Sequence, residues 1–222
     1  MSLLNIIGPV MVGPSSSHTA GAVRLGLLAR QSWSGPITRA DIFLRGSFAA
    51  TYWGHGTDKG LVAGLLGLSP DDSRVRDAFG LAQEQGLVVN FFTEEDPTGH
   101  PNTARMVLSD GERSMEVIGC SIGGGQVRLL SINGFEMSLD GSATALVVTH
   151  RDQPGIVSAL STRLADLGIN IASMTLSRKF RGREAVAVLT LDGTIDEKTR
   201  QELEEACPEG SRVLVIDPLE EV

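Results

Sequence analysis

The segment after Gly141 constrains the fold of this chain more than any other part, because strand and helix patterns alternate there at short spacing. Residues 143–149 form a run of apolar and β-branched residues that is typical of a strand. Residues 155–167 then carry apolar side chains at helical spacing, and two more strands are predicted at 169–176 and 185–191. Such a segment buries its helix faces against a sheet.

A second helix and a last strand complete this pattern. The sequence Thr194-Ile195-Asp196-Glu197 has the form of a capping box, which predicts that a helix begins there. Pro208 stops the helix, and residues 213–216 supply the last strand. The order βαββαβ is that of a ferredoxin-like domain, which we place at residues 143–222.

The first part of the chain predicts helices followed by a run of strands. The predicted helices lie after Thr19, from Gly60 and over 73–85, and the predicted strands lie at 40–44, 87–92, 104–108, 114–118, 127–132 and 135–137. Asn133-Gly134 is a hairpin turn between the last two strands. Helices and strands segregated in this way indicate an α+β domain and not a doubly wound sheet, and we place it at residues 1–140.

The heptapeptide Gly13-Pro14-Ser15-Ser16-Ser17-His18-Thr19 places hydroxyl groups and an imidazole directly before the first predicted helix. Backbone N–H groups and the dipole at a helix N-terminus favour a carboxylate or phosphate. A helix cap uses only one hydroxyl, so the loop predicts more than a cap. We predict that Ser15, Ser16, Ser17 and Thr19 donate hydrogen bonds to a small anion.

Two further polar segments carry histidine. Gly54-His55-Gly56-Thr57-Asp58-Lys59-Gly60 is predicted as a loop that opens into an apolar helix, and His100-Pro101-Asn102-Thr103 precedes a strand. Three of the four histidines therefore lie in polar loops, where binding and catalytic groups concentrate, and we expect these loops to converge. Lys59 would add positive charge, and Asn102 offers both a donor and an acceptor. Asp58 either orients His55 or pairs with Lys59.

Four strings in this order resemble a known family. They are GPSSSHTAG from Gly13, GSFAATYWGHGTDKG from Gly46, HPNTARM from His100 and the glycine run of residues 121–125. Over about the first 140 residues they resemble the beta chain of the two-subunit, iron–sulfur-dependent L-serine dehydratase, also called an allosteric substrate-binding domain. The string THRDQPG from Thr149 resembles the start of an ACT domain, a type of domain that pairs side by side and binds amino acids.

The resemblance implies a reaction and a partner. This chain would convert L-serine to pyruvate and ammonia together with an alpha chain that carries a 4Fe-4S cluster, whose iron acts as a Lewis acid. A cluster needs three or four thiolates, whereas this chain has only Cys120 and Cys207, so it would bind none alone. The resemblance also implies that His18, His55 and His100 line the active site, with His55 as general base, and that the ACT domain dimerises.

Three other interpretations compete with this one. A zinc site built from the three histidines lacks any HxH or HxxxH pair, and a Ser-His-Asp hydrolase lacks a nucleophile elbow. A regulatory module that senses serine or another small anion, with no residue taking part in chemistry, uses the same loops and stays open as an alternative.

Charge and hydropathy narrow the possible partners. The net charge of −8 argues against nucleic acid and against an anionic membrane surface. The sequence has no apolar run of about 18 residues and no signal-peptide pattern at its start. We therefore expect a cytoplasmic protein.

Overall fold

The computed structural model describes residues 10–95 and 99–219, and contacts within the chain divide it into two compact units. Of the described residues, the first unit holds those up to Gly134 together with Ser138–Asp140, and the second holds Phe135–Met137 and Gly141–Leu219. None of the helices in the described residues combines the length and apolar character needed to cross a membrane.

Four α-helices form within residues 10–95. They are α1 (Gly21–Gln31), α2 (Gly46–His55), α3 (Thr57–Leu65) and α4 (Ala78–Glu84). The turn Ser16–Ala20 leads directly into α1 and is wound as a π-helix, and a 3-10 turn over Ser73–Asp77 precedes α4. Isolated π turns are rare and are frequent at functional sites, so the start of α1 stands out.

Six strands between residues 39 and 139 form one mixed sheet in the order β2-β1-β3-β4-β5-β6. Their bounds are β1 Arg39–Leu44, β2 Val88–Thr93, β3 Thr103–Ser109, β4 Ser114–Gly123, β5 Gln126–Ile132 and β6 Phe135–Leu139. β1 and β2 run parallel, and β3 is antiparallel to both β1 and β4. The predicted hairpin is confirmed, because Asn133 and Gly134 both have positive φ, as a tight two-residue turn requires.

Helices α1 and α3 pack so closely that their backbones touch. Gly64 of α3 faces Gly26 and the carbonyl oxygen of Val23 in α1, and a Cβ atom on Gly64 would clash with that oxygen. α1 in turn packs against β4 and β5. The contact fixes α3 against α1, and it thereby brings the start of α3 near the turn that precedes α1.

The prediction of a loop over residues 54–60 was wrong. His55 is the last residue of α2 and Thr57 is the first residue of α3, so the connection between the two helices is Gly56 alone. Gly56 has a φ of 72°, a left-handed conformation that glycine adopts without steric cost. Helix α2 escaped prediction because its sequence, GSFAATYWGH, contains glycine and β-branched and aromatic residues with weak helix propensity.

The second unit has the order βαββαβ that its sequence predicted. Its elements are β7 Thr144–Arg151, α5 Ile156–Asp166, β8 Asn170–Arg178, β9 Glu184–Asp192, α6 Glu197–Ala206 and β10 Arg212–Ile216. The four strands form an antiparallel sheet in the order β10-β7-β9-β8. The ferredoxin-like fold of this unit is therefore confirmed.

The start of α6 differs from its prediction. Asp196 is the N-cap, and its carboxylate accepts a hydrogen bond from the backbone N–H of Thr199 at 2.7 Å. The predicted capping box required Thr194 to be the cap, which lies too early because the helix begins at Glu197. The predicted stop is confirmed, since the helix ends at Ala206, just before Pro208.

Candidate active site

Hydroxyl groups meet both ring nitrogens of His18, which lies in the π-wound turn before α1. Its Nδ1 atom lies 3.1 Å from Ser17 Oγ and 3.4 Å from Ser15 Oγ. Its Nε2 atom lies 3.0 Å from Ser47 Oγ, in the first turn of α2. Ser15 is also the N-cap of the turn, because its Oγ accepts a hydrogen bond from the backbone N–H of His18 at 3.1 Å. The imidazole is thus held from both sides.

The ring of His55 lies beside the ring of His18. The two ring centroids are 5.1 Å apart, with 81° between the planes, and Phe48 contacts His18 edge-on at 5.4 Å. Phe48 and His55 are two helical turns apart in α2 and therefore share one face of it. Burial, and the neighbouring His55, lower the pKa of His18 below 6.5. His18 is therefore neutral at physiological pH, beside an exposed His55.

Thr19 joins the two histidine segments. Thr19 is 3% exposed, and its Oγ1 donates a hydrogen bond to the carbonyl oxygen of His55 at 2.7 Å. The hydroxyl proton is thus used within the chain. The geometry does not fit the prediction that Thr19 donates to a bound anion, and it gives Thr19 the role of fixing His55 next to His18.

The segment of His100 lies beside the start of α2. The carbonyl oxygen of Pro101 accepts a hydrogen bond from the backbone N–H of Phe48 at 3.3 Å. His100 Nδ1 accepts one from the backbone N–H of Asn102 at 3.2 Å, and its carbonyl oxygen accepts one from Thr103 Oγ1 at 2.6 Å. Among the described residues, no hydrogen bond or ring contact joins His100 to His18 or His55.

Asn102 reaches the start of α1 through Ser121. The Nδ2 atom of Asn102 lies 3.4 Å from the carbonyl oxygen of Ser121, a long donor contact. Ser121 is fully buried against Gly21 of α1, where any Cβ atom would clash with its hydroxyl. The Oδ1 atom of Asn102 is buried and has no hydrogen-bond partner in the described part of the chain. A buried carbonyl oxygen of this kind is suited to accept from an ammonium group.

Lys59 and Asp58 lie in the first turn of α3. Lys59 is exposed, whereas Asp58 is buried and its Oδ1 accepts a hydrogen bond from the backbone N–H of Lys59 at 2.8 Å. Burial raises the pKa of the Asp58 carboxyl. The Asp58 carboxylate accepts its hydrogen bond from the backbone and not from the His55 ring.

Ser16 contributes its carbonyl oxygen to the π turn before α1. This oxygen accepts a hydrogen bond from the backbone N–H of Gly21 and closes the turn.

Known proteins are similar to this sequence over most of its length. The family "Serine dehydratase beta chain" matches residues 2–86, and the family "ACT domain" matches residues 144–208. The probable L-serine dehydratase beta chain of Bacillus subtilis is 41% identical over 202 residues, which cover 91% of this chain and 92% of that protein. This chain belongs to the L-serine dehydratase beta chains.

Two other relatives differ in how much of them this beta chain covers. The L-serine dehydratase beta chain of Peptoniphilus asaccharolyticus is 37% identical over 208 residues, which cover 92% of this chain and 91% of that one. A D-3-phosphoglycerate dehydrogenase of Methanocaldococcus jannaschii is 27% identical over 194 residues, which cover 83% of this chain but 35% of that enzyme. Most of this chain is therefore similar to about a third of an enzyme that is named for another reaction.

Sequence reasoning did not single out Ser47, Phe48 and Ser121 in this beta chain. All three lie within strings that carry the family resemblance, GSFAATYWGHGTDKG and the glycine run after Cys120. These strings contain the residues, but the sequence does not show which of them contact His18. Only helix α2 brings residues 47 and 48 to that side chain. Ser121 likewise meets α1 only because Gly21 has no side chain.

The thiols of this beta chain do not form a ligand set. Cys120 and Cys207 belong to different units and both are buried, and burial raises the pKa of each thiol. Two such thiols do not match the three or four thiolates that hold an iron–sulfur cluster. Among residues 10–95 and 99–219, no group of three or more His, Cys, Asp and Glu side chains is arranged to hold a metal ion.

Proposed function

We propose that this beta chain takes part in the conversion of L-serine to pyruvate and ammonia, together with an alpha chain that carries a 4Fe-4S cluster. The observation that supports this most is the His18–His55 pair, in which an exposed imidazole lies against a neutral one held by hydroxyls. Relatives at 41% and 37% identity are named as beta chains of that enzyme.

The reaction needs a base for the α-proton of serine, and His55 is the candidate. Its ring is exposed at the end of α2, and histidine is the side chain that most readily accepts a proton near neutral pH. His18 is less suited to this role, because hydroxyl groups occupy both of its ring nitrogens. We assign His18 to holding the site and His55 to proton transfer.

The carboxylate and ammonium groups of serine need opposite partners. We assign the carboxylate to the start of α1, where the Ser16 hydroxyl and helix N–H groups favour an anion, while the hydroxyls of Ser15 and Ser17 face His18. Lys59 is exposed in the neighbouring first turn of α3 and adds positive charge. Asn102 Oδ1, which has no partner in the described residues, is assigned to the ammonium group. His100 supports Asn102 by accepting its backbone N–H.

The cluster belongs to the partner in this proposal. Cys120 and Cys207 do not fit a 4Fe-4S cluster, since they are two thiols in two separate units. We therefore assign the cluster, and assistance to the departing hydroxyl of serine, to the alpha chain. The part left to this chain is to bind serine, to orient it and to remove a proton.

A second candidate function is a regulatory module that binds serine or another small anion and takes no part in chemistry. The match to a D-3-phosphoglycerate dehydrogenase favours it, because most of this chain corresponds to about a third of an enzyme with a different named reaction. A domain that is shared by two enzymes with different reactions can serve as a ligand sensor in both.

Substitution of His55 separates the two functions. We expect His55→Ala, co-expressed with the alpha chain, to lower turnover at saturating serine by about 100-fold or more, the scale for loss of a general base. Thr51→Val is the matched control, because it lies one turn earlier in α2 and its hydroxyl contacts only the backbone oxygen of Ser47 among the described residues. Unchanged maximal turnover, with a shifted serine dependence, would instead identify the regulatory module.

A further inference from the structure

We propose that His100 binds the carboxylate of the substrate through an N–H donor on its Nε2 atom, and that the backbone of its own loop keeps the proton on that nitrogen. His100 is then a binding residue and not a base. The assignment to the substrate rests on the proposed function, whereas the tautomer of the imidazole does not.

The group that meets His100 Nδ1 can only donate a hydrogen bond. It is the backbone N–H of Asn102, whose nitrogen lies 3.2 Å from Nδ1. This N–H makes no other hydrogen bond among the described residues. A backbone N–H has no lone pair to offer, whereas a hydroxyl could either donate or accept. Nδ1 therefore has to be the acceptor nitrogen of the ring.

The two neutral tautomers of His100 differ by this one hydrogen bond. With the proton on Nε2, the N–H of Asn102 has its acceptor. With the proton on Nδ1, two N–H groups would face each other at 3.2 Å, and Asn102 would lose its acceptor. Nε2 has no partner among the described residues, so water serves it equally well in either form. The bond to Asn102 therefore decides, and Nε2 carries the proton.

The loop holds the N–H of Asn102 in place independently of the imidazole. The carbonyl oxygen of His100 accepts a hydrogen bond from Oγ1 of the buried Thr103 at 2.6 Å. The carbonyl oxygen of Asn102 accepts one from the backbone N–H of Ser121 at 3.0 Å. The donor that selects the tautomer is thus part of a fixed backbone.

The same loop packs against the turn of α2 that contacts His18. The carbonyl oxygen of Pro101 accepts a hydrogen bond from the backbone N–H of Phe48, whose ring lies against the His18 imidazole. A Cβ atom on Gly46 would lie 2.7 Å from the backbone of Pro101, so only glycine allows this approach. His100 therefore belongs to a segment next to the His18–His55 pair.

The Nε2 donor fits one group of serine better than the others. His100 is partly exposed, and no described residue uses its Nε2 proton. The ammonium group of serine offers only donors, and the departing hydroxyl is assigned to the alpha chain. The carboxylate is the oxygen acceptor that remains for this chain. A hydrogen bond to an ionised acceptor is also stronger than one between neutral groups.

The first test is the tautomer of His100 in the full-length chain without its partner. Long-range proton–nitrogen NMR spectra of the nitrogen-15-labelled protein at about pH 8, where imidazoles are neutral, report it. The His100 signals are assigned by their loss in His100→Gln. We expect only the Nε2-protonated form in the folded chain, with a scalar coupling from the Asn102 amide nitrogen to Nδ1. The same chain unfolded in urea provides the tautomer mixture of an unconstrained side chain.

The second test uses two variants that each keep one half of the imidazole, co-expressed with the alpha chain. His100→Asn keeps an acceptor for the Asn102 N–H but has no donor at the position of Nε2. His100→Gln keeps an N–H donor near that position but has no acceptor for Asn102. We expect His100→Asn to raise KM for serine by about 10-fold or more, with little change in kcat, because a carboxylate is bound alike in the ground and transition states. His100→Gln should raise KM less.

Several results would overturn the proposal. An Nδ1-protonated His100 in the folded chain, or the same tautomer mixture as in urea, contradicts the tautomer. Equal effects of the two variants, or a fall in kcat with unchanged KM in both, contradict binding of the carboxylate by Nε2. Failure of the proposed function is a separate outcome: if His55→Ala leaves maximal turnover intact while folded His100 is Nε2-protonated, the tautomer stands and the catalytic role of the site does not.

Discussion

The imidazole of His18 contacts hydroxyl groups from two segments that are distant in the chain. Each serine of the Ser15-Ser16-Ser17 run has a different role in the turn that holds this imidazole. Ser15 caps the turn, Ser16 closes it through its carbonyl oxygen, and Ser17 bonds the imidazole. A cap alone would need one hydroxyl. Two of the three hydroxyls lie beside Nδ1 of this half-buried imidazole, and Ser47 from α2 lies beside Nε2.

We expect acid to destabilise the folded chain through His18. The pKa of His18 lies below 6.5 in the folded state and at about 6.5 in the unfolded chain. At a pH between the folded and the unfolded pKa, the unfolded chain therefore binds more protons than the folded one. The His18 contribution is therefore complete above about pH 6.5 and is lost as the pH falls towards the folded pKa. Urea unfolding of the natural chain and of His18→Gln, at about pH 7.5 and about pH 5, measures this.

The comparison of the two chains isolates His18 from the carboxyl groups, which titrate in both. The natural chain should lose more stability between the two pH values than His18→Gln. Equal losses in the two proteins would show that the pKa of His18 is not depressed by folding.

At the scale of elements, the contact between α1 and α3 determines where the histidines can meet. Gly26 and Gly64 let the two backbones approach, and the single residue Gly56 then turns α2 back from the start of α3. His55 ends α2 at this corner and is tied to Thr19. The geometry of the site is thus a consequence of helix packing and not of loop conformation.

We predict that Gly64→Ala destabilises the chain by about 1–3 kcal/mol, the usual cost of overpacking, because its Cβ would clash with the backbone of Val23. Gly54→Ala is the matched control. Gly54 lies within α2 with no atom within 4 Å of its added Cβ, so alanine should stabilise by about 0.5–1 kcal/mol. Urea unfolding of both variants measures the difference. A stabilising Gly64→Ala would contradict the close contact between the helices.

For the whole molecule, the second unit has a hydrophobic core made of its own residues. The buried core side chains are Leu146, Val148, Ile156, Leu160, Leu164, Ala187, Leu189, Leu191, Ile195, Leu203, Cys207 and Val213. They come from both helices, from β7, β9 and β10, and from the residues next to α6, where Ile195 precedes the helix and Cys207 follows it. A core closed within one sheet and its two helices is the usual requirement for independent folding.

We expect residues 143–222 to fold alone and to form a dimer. The physical reason is the self-contained core, together with the edge strand β8, whose outer side pairs with no other strand of the described residues and can pair with a second copy. A cooperative thermal transition would show folding, and sedimentation equilibrium would give the mass. An unfolded fragment would contradict the boundary near residue 142, and a folded monomer would contradict dimerisation through this unit.

Much of the fold could be predicted from local patterns. The βαββαβ order, the Asn133-Gly134 hairpin and the end of the helix before Pro208 all depend on residues a few positions apart. Helix α2 and the true cap of α6 could not be predicted in this way. In α2 the propensities are weak, and before α6 two candidate caps, Thr194 and Asp196, lie two residues apart.

The sequence by itself determined which chemical groups this protein could use, since three histidine segments and a run of serines can be read directly from it. Only the tertiary structure decided how they are used. Ser47 contacts His18 across 29 residues of chain, and Thr19 donates a hydrogen bond to the carbonyl oxygen of His55 across 36. Such contacts depend on how closely helices pack, and that distance is decided by glycines whose partners lie far away in the chain.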